Sequence, residues 1–135
     1  MRLIVLGGCG YIGSVLVPKL LEAGHLVRVM DAQWFGNRLK PHSCLNVIKA
    51  DIRDPALHLG AADAVIHLAN VANDPAGDLD PKLTWEVNAL SMAQLAENAK
   101  REGVGQFLYA SSGSVYGVSD APQVSEETAL LPLTE

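Results

Sequence analysis

Short apolar runs alternate with longer stretches of helical spacing from one end of the chain to the other. Leu3–Leu6 is an apolar run that leads straight into glycine, the pattern of a buried strand. From Tyr11 to Ala23 the apolar residues Ile12, Leu16, Leu20 and Ala23 recur at intervals of three and four, which predicts a helix stopped by Gly24. Pro18 removes one hydrogen bond inside it and predicts a bend. Leu26–Met30, Asn46–Ala50, Ala64–Leu68 and Gln106–Ala110 read as four further strands, with a polar, irregular segment from Gln33 to Leu45. A short helix is expected from Pro55, with Asp54 as its N-cap. Asp80-Pro81 opens a longer helix, expected to reach Arg101 and stop at Gly103, its apolar face beginning with Leu83, Val87 and Leu90. Helical crossovers return the chain to the same end of a sheet, so the strands must pair in parallel. The expectation is an α/β fold, a doubly wound parallel sheet of order 3-2-1-4-5 with right-handed crossovers. After Ser119 the chain is polar and interrupted by Pro122 and Pro132, and residues 118–135 are expected to form a connecting loop region.

Composition sharpens this picture in three places. Hydrophobic residues make up 49% of the 135, but aromatics only 5%, so the core must be built from Leu, Val, Ile and Ala, as under a covered parallel sheet. The net charge of −5 and the scattered Lys and Arg argue against a nucleic-acid surface. No stretch approaches the roughly 20 apolar residues that a membrane span needs. Cys9 and Cys44 form no CxxC pair and no signal peptide opens the chain, which leads to the expectation of a soluble cytoplasmic protein.

The candidate chemistry begins where the first strand meets the first helix. Gly7, Gly10 and Gly13 form a GxxGxxG loop there, in the context that dinucleotide binding requires. Glycine lets the backbone approach a pyrophosphate, and the helix N-terminus adds unpaired N–H groups and partial positive charge. The lysine of a P-loop is missing. Asp31 ends the second strand, where a carboxylate can accept hydrogen bonds from both ribose hydroxyls and repel a 2′-phosphate. These features predict a Rossmann domain that prefers NAD to NADP. A plain surface aspartate at a strand end is the other reading of Asp31, and Arg28 and Arg38 could in principle meet a 2′-phosphate.

Four further blocks, with the glycine loop, resemble the extended short-chain dehydrogenase/reductases, the NAD-dependent epimerase/dehydratase family. Asp51-Ile52-Arg53-Asp54 resembles the acidic DxRD segment, whose Asp meets the adenine amino group. His67-Leu68-Ala69-Asn70 resembles the HLAA segment that borders the cofactor, with Asn70 in place of the second alanine. Trp85-Glu86-Val87-Asn88 resembles the segment whose Asn stabilises the centre of the site. Ala110-Ser111-Ser112-Gly113-Ser114-Val115-Tyr116-Gly117 resembles the SSxxVYG stretch that carries a catalytic Ser or Thr. The blocks stand in family order over nearly the whole chain. The resemblance implies that Gly7, Gly10, Tyr11, Ile12, Gly13, Asp31, Asp51, Ile52, Leu68, Ala69, Asn70, Asn88 and Ser111 surround NAD, and that Ser112, ahead of Ser114, is catalytic. It implies no metal ligand, and it leaves His67 a structural residue and Tyr116 a packing one. By their local chemistry Asp51 and Asp54 could equally be turn and cap residues, and Asn88 could face either inward or solvent.

In this family a Tyr exchanges a proton with a sugar hydroxyl and a Lys four residues on lowers its pKa. Here the residues four beyond the three tyrosines are Val15, Gly113 and Asp120, so the pair is absent from these 135 residues. Two expectations follow. The chain is the N-terminal part of a larger nucleotide-sugar epimerase or dehydratase, truncated before its substrate domain, or it is a complete NAD(P)-binding module without chemistry. A reductase acting on a non-sugar carbonyl is a third reading, and a homodimer is possible in any of them. A sheet cut short should also leave apolar surface uncovered, with marginal stability or association through its edge.

Overall fold

The computed structural model describes residues 1–72, 74–118 and 123–133. Its sheet has five strands: β1 (Arg2–Leu6), β2 (Leu26–Asp31), β3 (Leu45–Lys49), β4 (Ala64–His67) and β5 (Gln106–Tyr109). All pair in parallel, in the expected order β3-β2-β1-β4-β5. β1 lies at the centre, with Leu6 registered against Met30 on one side and His67 on the other. Its residues Leu3–Leu6 are all buried, as a strand covered on both faces requires.

Alternate residues feed two cores, because successive side chains leave a strand on opposite faces. Val5, Val27 and Val29 pack with Val17 of α1 (Tyr11–Glu22). Ile4, Leu6, Met30 and Val65 pack with Val87, Leu95 and Ala99 from the helical run on the other face. α1 continues through Pro18 without interruption, and the turn after it is closed by Gly24 at φ +82°.

The helical segments differ from expectation in three ways. Asp74-Pro75 starts a short helix of its own, α2 (Asp74–Leu79). Asp80 then caps the next one as expected, its side chain accepting from Leu83 N at 3.0 Å with Pro81 in the first turn. The run from Pro81 to Arg101 is not one regular helix, however. α3 (Pro81–Trp85) passes into a π-helical turn (Glu86–Leu90) and then into α4 (Ser91–Arg101). The expected helix after Asp54 is absent. Asp54 Oδ1 instead accepts from Ala56 N at 2.8 Å and its carbonyl from Leu57 N at 3.0 Å, which closes a turn. Leu59, fully buried, and Gly60, at φ +73°, leave too little chain for a helix to propagate. Beyond β5 a 3-10 turn (Gly113–Tyr116) follows, and Leu131 N donates to Val115 O at 2.9 Å.

Candidate functional site

The carboxyl ends of β1, β2 and β4 open onto one cleft of about 430 Å³. Gly7 sits in the left-handed region at φ +77°, and a Cβ there would stand 2.5 Å from Ala69 N. A Cβ at Gly13 would collide with the backbone of Gly8. The loop is therefore folded as tightly as backbone allows, and only glycine fits these places. No side chain caps α1 at Gly10, and the first hydrogen bond back into the loop is Ser14 N to Gly10 O at 2.9 Å. Tyr11 and Ile12, in the first turn of α1, line the cleft, so the positive end of the helix with its unpaired N–H groups lies at its wall.

Asp31 holds this loop in place. Its Oδ2 accepts from Cys9 N at 2.9 Å and its Oδ1 from Gln33 N at 2.6 Å. An ionised carboxylate offers about four lone-pair sites, so each oxygen keeps capacity for a ligand hydroxyl. Burial, and then the charge of Asp31, push the Cys9 thiol up to about 11, which keeps it protonated and unreactive. Asp51 lines the cleft from beyond β3 beside buried Ile52. Its carboxylate meets Arg53 Nη2 at 2.6 Å, and that bond holds its pKa below the usual carboxylate range. It also accepts from Arg53 N at 2.9 Å, so it serves as turn residue and cleft wall together. Leu68, Ala69 and Asn70 close the cleft after β4.

A second cavity of about 740 Å³ adjoins the first, with Asn70 and Ala72 common to both walls. Asn88, Ser111, Ser112 and Ser114 line it, with Tyr109. The sequence leaves the orientation of Asn88 open, and the structure turns it inward. Its Oδ1 accepts from Val71 N at 2.8 Å and its Nδ2 donates to Val71 O at 3.0 Å, so the amide pairs with the loop as a strand neighbour would. Tyr109 Oη donates to Asn88 O at 3.2 Å. Asn88 lies within the π-helical turn, a local widening that often marks a functional position. Ser112 Oγ accepts from Ser114 N at 3.1 Å, which leaves its hydroxyl hydrogen to donate elsewhere. Ser111 is exposed at the cavity.

The expected site residues thus fall into two adjoining sets. The glycine loop, Asp31, Asp51, Ile52 and the segment from Leu68 to Asn70 share the first cavity, and Asn88, Ser111 and Ser112 share the second with Asn70. His67 and Tyr116 line neither. The sequence motifs do not reach Trp34 and Phe35, which line the first cleft from the polar, irregular segment. The available signal was two adjacent aromatics in a chain with only two Trp and two Phe. Among the described residues no group of three or more His, Cys, Asp or Glu could hold a metal, and no helix is long and apolar enough to cross a membrane.

A five-stranded parallel sheet with a glycine turn and a cleft at its carboxyl edge defines a Rossmann-fold domain. The sequence profile of the NAD dependent epimerase/dehydratase family matches residues 3–135, and the chain belongs to that family. It is 31% identical over 137 residues to a UDP-glucose 4-epimerase of Corynebacterium glutamicum, covering 98% of this chain and 41% of that protein. It is 32% identical to UDP-glucuronic acid decarboxylase 1 of Xenopus tropicalis, covering 93% of this chain and 30% of the relative. The solved structure of a Thermus thermophilus UDP-glucose 4-epimerase in complex with NAD superposes with a TM-score of 0.86 at 30% identity, over 99% of this chain and 45% of that one. The chain spans less than half the length of these relatives.

Proposed function

We propose that this chain is the NAD-binding part of a nucleotide-sugar oxidoreductase of the epimerase/dehydratase type, acting by hydride transfer at a sugar carbon. The observation that carries the proposal is the convergence of the uncapped α1 N-terminus and the Asp31 carboxylate on one cleft, which runs on into the cavity holding Ser112. The tight glycine turn brings the uncapped N-terminus of α1 to the cleft, where unpaired N–H groups suit a diphosphate. In this reading the N–H groups of Tyr11 and Ile12 hold the diphosphate, and the free lone pairs of Asp31 take the adenosine ribose diol. Asp51 and Ile52 border the adenine. Leu68, Ala69 and Asn70 lie along the middle of the dinucleotide, and Asn88 and Ser111 lie toward its nicotinamide end. When bound, NAD supplies the hydride acceptor. Ser112 donates its hydroxyl hydrogen to the oxygen of the sugar carbon that reacts.

The similarity to both an epimerase and a decarboxylase supports a sugar nucleotide as the substrate class of the whole protein and leaves its particular reaction open. The 135 residues hold no Tyr-x-x-x-Lys pair, so the chain by itself is expected to bind NAD without turnover. A cytoplasmic location is part of this reading, and two free cysteines, Cys9 and Cys44, are compatible with a reducing compartment. Calorimetric titration with NAD and NADP tests the proposal. NAD should bind more tightly, and Asp31→Ala should weaken NAD more than NADP. Equal losses would refute the Asp31 assignment, absence of NAD binding would refute the proposal, and epimerase activity from the purified 135-residue chain would overturn the expectation of no turnover.

A further inference from the structure

Directly after β2 the chain exposes two aromatic rings that neither core uses. Trp34 is 55% exposed and Phe35 88% exposed. They are the central residues of a turn closed by Gly36 N donating to Gln33 O at 3.0 Å. Gln33 takes the left-handed conformation, φ +57°, which is disfavoured for a residue with a side chain, and it is the one non-glycine residue to do so among the described ones. The turn is tethered on both sides. Gln33 N donates to Asp31 Oδ1, and beyond the turn Asn37 Oδ1 accepts from Cys9 Sγ at 3.6 Å and from Leu39 N at 2.9 Å. A strained turn fixed to the glycine loop thus holds two apolar rings in water, and both line the cleft together with Asp31 and Ile52.

Solvent-exposed rings at the wall of a cleft suit a flat, uncharged π-face, and base–aromatic stacking is the interaction they offer. Within an adenine dinucleotide that partner is the adenosine half, beside the carboxylate assigned to its ribose. We propose that Trp34 and Phe35 form an aromatic clasp over the adenosine of the bound dinucleotide, with Trp34 the stacking ring, and that they set affinity for that half of the ligand. The inference rests on the NAD-binding reading above. It adds a recognition element that the glycine loop and Asp31 do not supply.

The test uses Trp34 as its own reporter. The chain has two tryptophans, so Trp85→Phe leaves Trp34 as the only one. Titration with NAD or with ADP-ribose should change Trp34 emission to the same limit. The double variant Trp34→Ala/Phe35→Ala should bind NAD and ADP-ribose about 10- to 100-fold more weakly, by the same factor for each, as the loss of base stacking predicts. Trp34→Phe should recover most of that loss, since it keeps a ring, and serves as the milder variant if the double one does not fold. Unchanged NAD affinity in a folded double variant would overturn the clasp and leave the NAD-binding reading intact. Absence of NAD binding by the wild-type chain would remove both.

Discussion

Asp31 shows how a single side chain can be legible in its position and not in its work. Its place at the end of β2, after a glycine loop, is what led to the proposal that it accepts from a ribose. The sequence could not show that both oxygens also accept from backbone N–H groups, of Cys9 and Gln33. Those contacts join residues 22 and 2 positions away, and only the folded sheet brings the longer one about. Trp34 and Phe35 are hidden for a related reason: periodicity detects residues that face a core, and these face a cleft. The sequence reading leaves His67 out of the site, and the structure buries it in the sheet. It is fully buried, has no hydrogen-bond partner among the described residues, and meets Phe107 and Tyr109 edge-on with ring centroids at 6.0 and 5.3 Å. Burial lowers its pKa from 6.5 to about 4. Between those values the unfolded chain binds a proton that the folded chain refuses, so acid favours unfolding. The contribution of His67 is complete above about pH 6.5 and is lost as pH falls through about 4. A shift of this size corresponds to about 3 kcal/mol. Urea unfolding from pH 7 to pH 4 should show a steeper loss for wild type than for His67→Leu, and parallel curves would contradict this origin.

At the scale of elements, the strands and α1 were readable because their apolar residues repeat with the period of the structure they adopt. The Asp80-Pro81 start was readable too, since cap and proline each act locally. The helix expected at Asp54 failed on the same local chemistry. A cap-type aspartate followed by proline also makes a turn, and here the turn forms, followed by a buried Leu59. The π-helical turn was invisible, because it shifts the hydrogen-bond ladder within a sequence of ordinary helical spacing. Its effect falls on Asn88, whose amide satisfies both backbone groups of Val71. Replacing Asn88 by Ala would leave an N–H and a carbonyl of a part-buried loop unpaired, at a cost of about 1–3 kcal/mol. Chemical denaturation should register that loss, together with faster amide exchange at Val71. Full stability in Asn88→Ala would show that water replaces the side chain without penalty.

For the whole molecule, strand order followed from the alternation of elements and the handedness of crossovers, with no side-chain detail required. The two-cavity arrangement did not follow in the same way. It depends on where the loops after β4 and β5 come to lie, and their order along the chain does not specify that. The motif residues come to line two cavities, and the fold supplies the wall they share at Asn70 and Ala72. Among the described strands β5 is an edge, and Leu108 and Tyr109 on it are 43% and 38% exposed. Leu130, Leu131 and Leu133 add further exposed apolar surface. An open parallel edge with apolar neighbours invites association. Sedimentation of the 135-residue chain should show concentration-dependent self-association, reduced by Leu108→Lys. A monodisperse monomer with a high melting temperature would exclude it.

The tether between Asp31 and the Cys9 amide has a mechanical consequence. One carboxylate is hinge pin for two neighbouring loops, so a ligand that engages it stiffens both. On the proposed NAD reading, a ribose held by Asp31 would therefore also act on the segment proposed to hold the diphosphate. In that reading one side chain links the two halves of recognition mechanically.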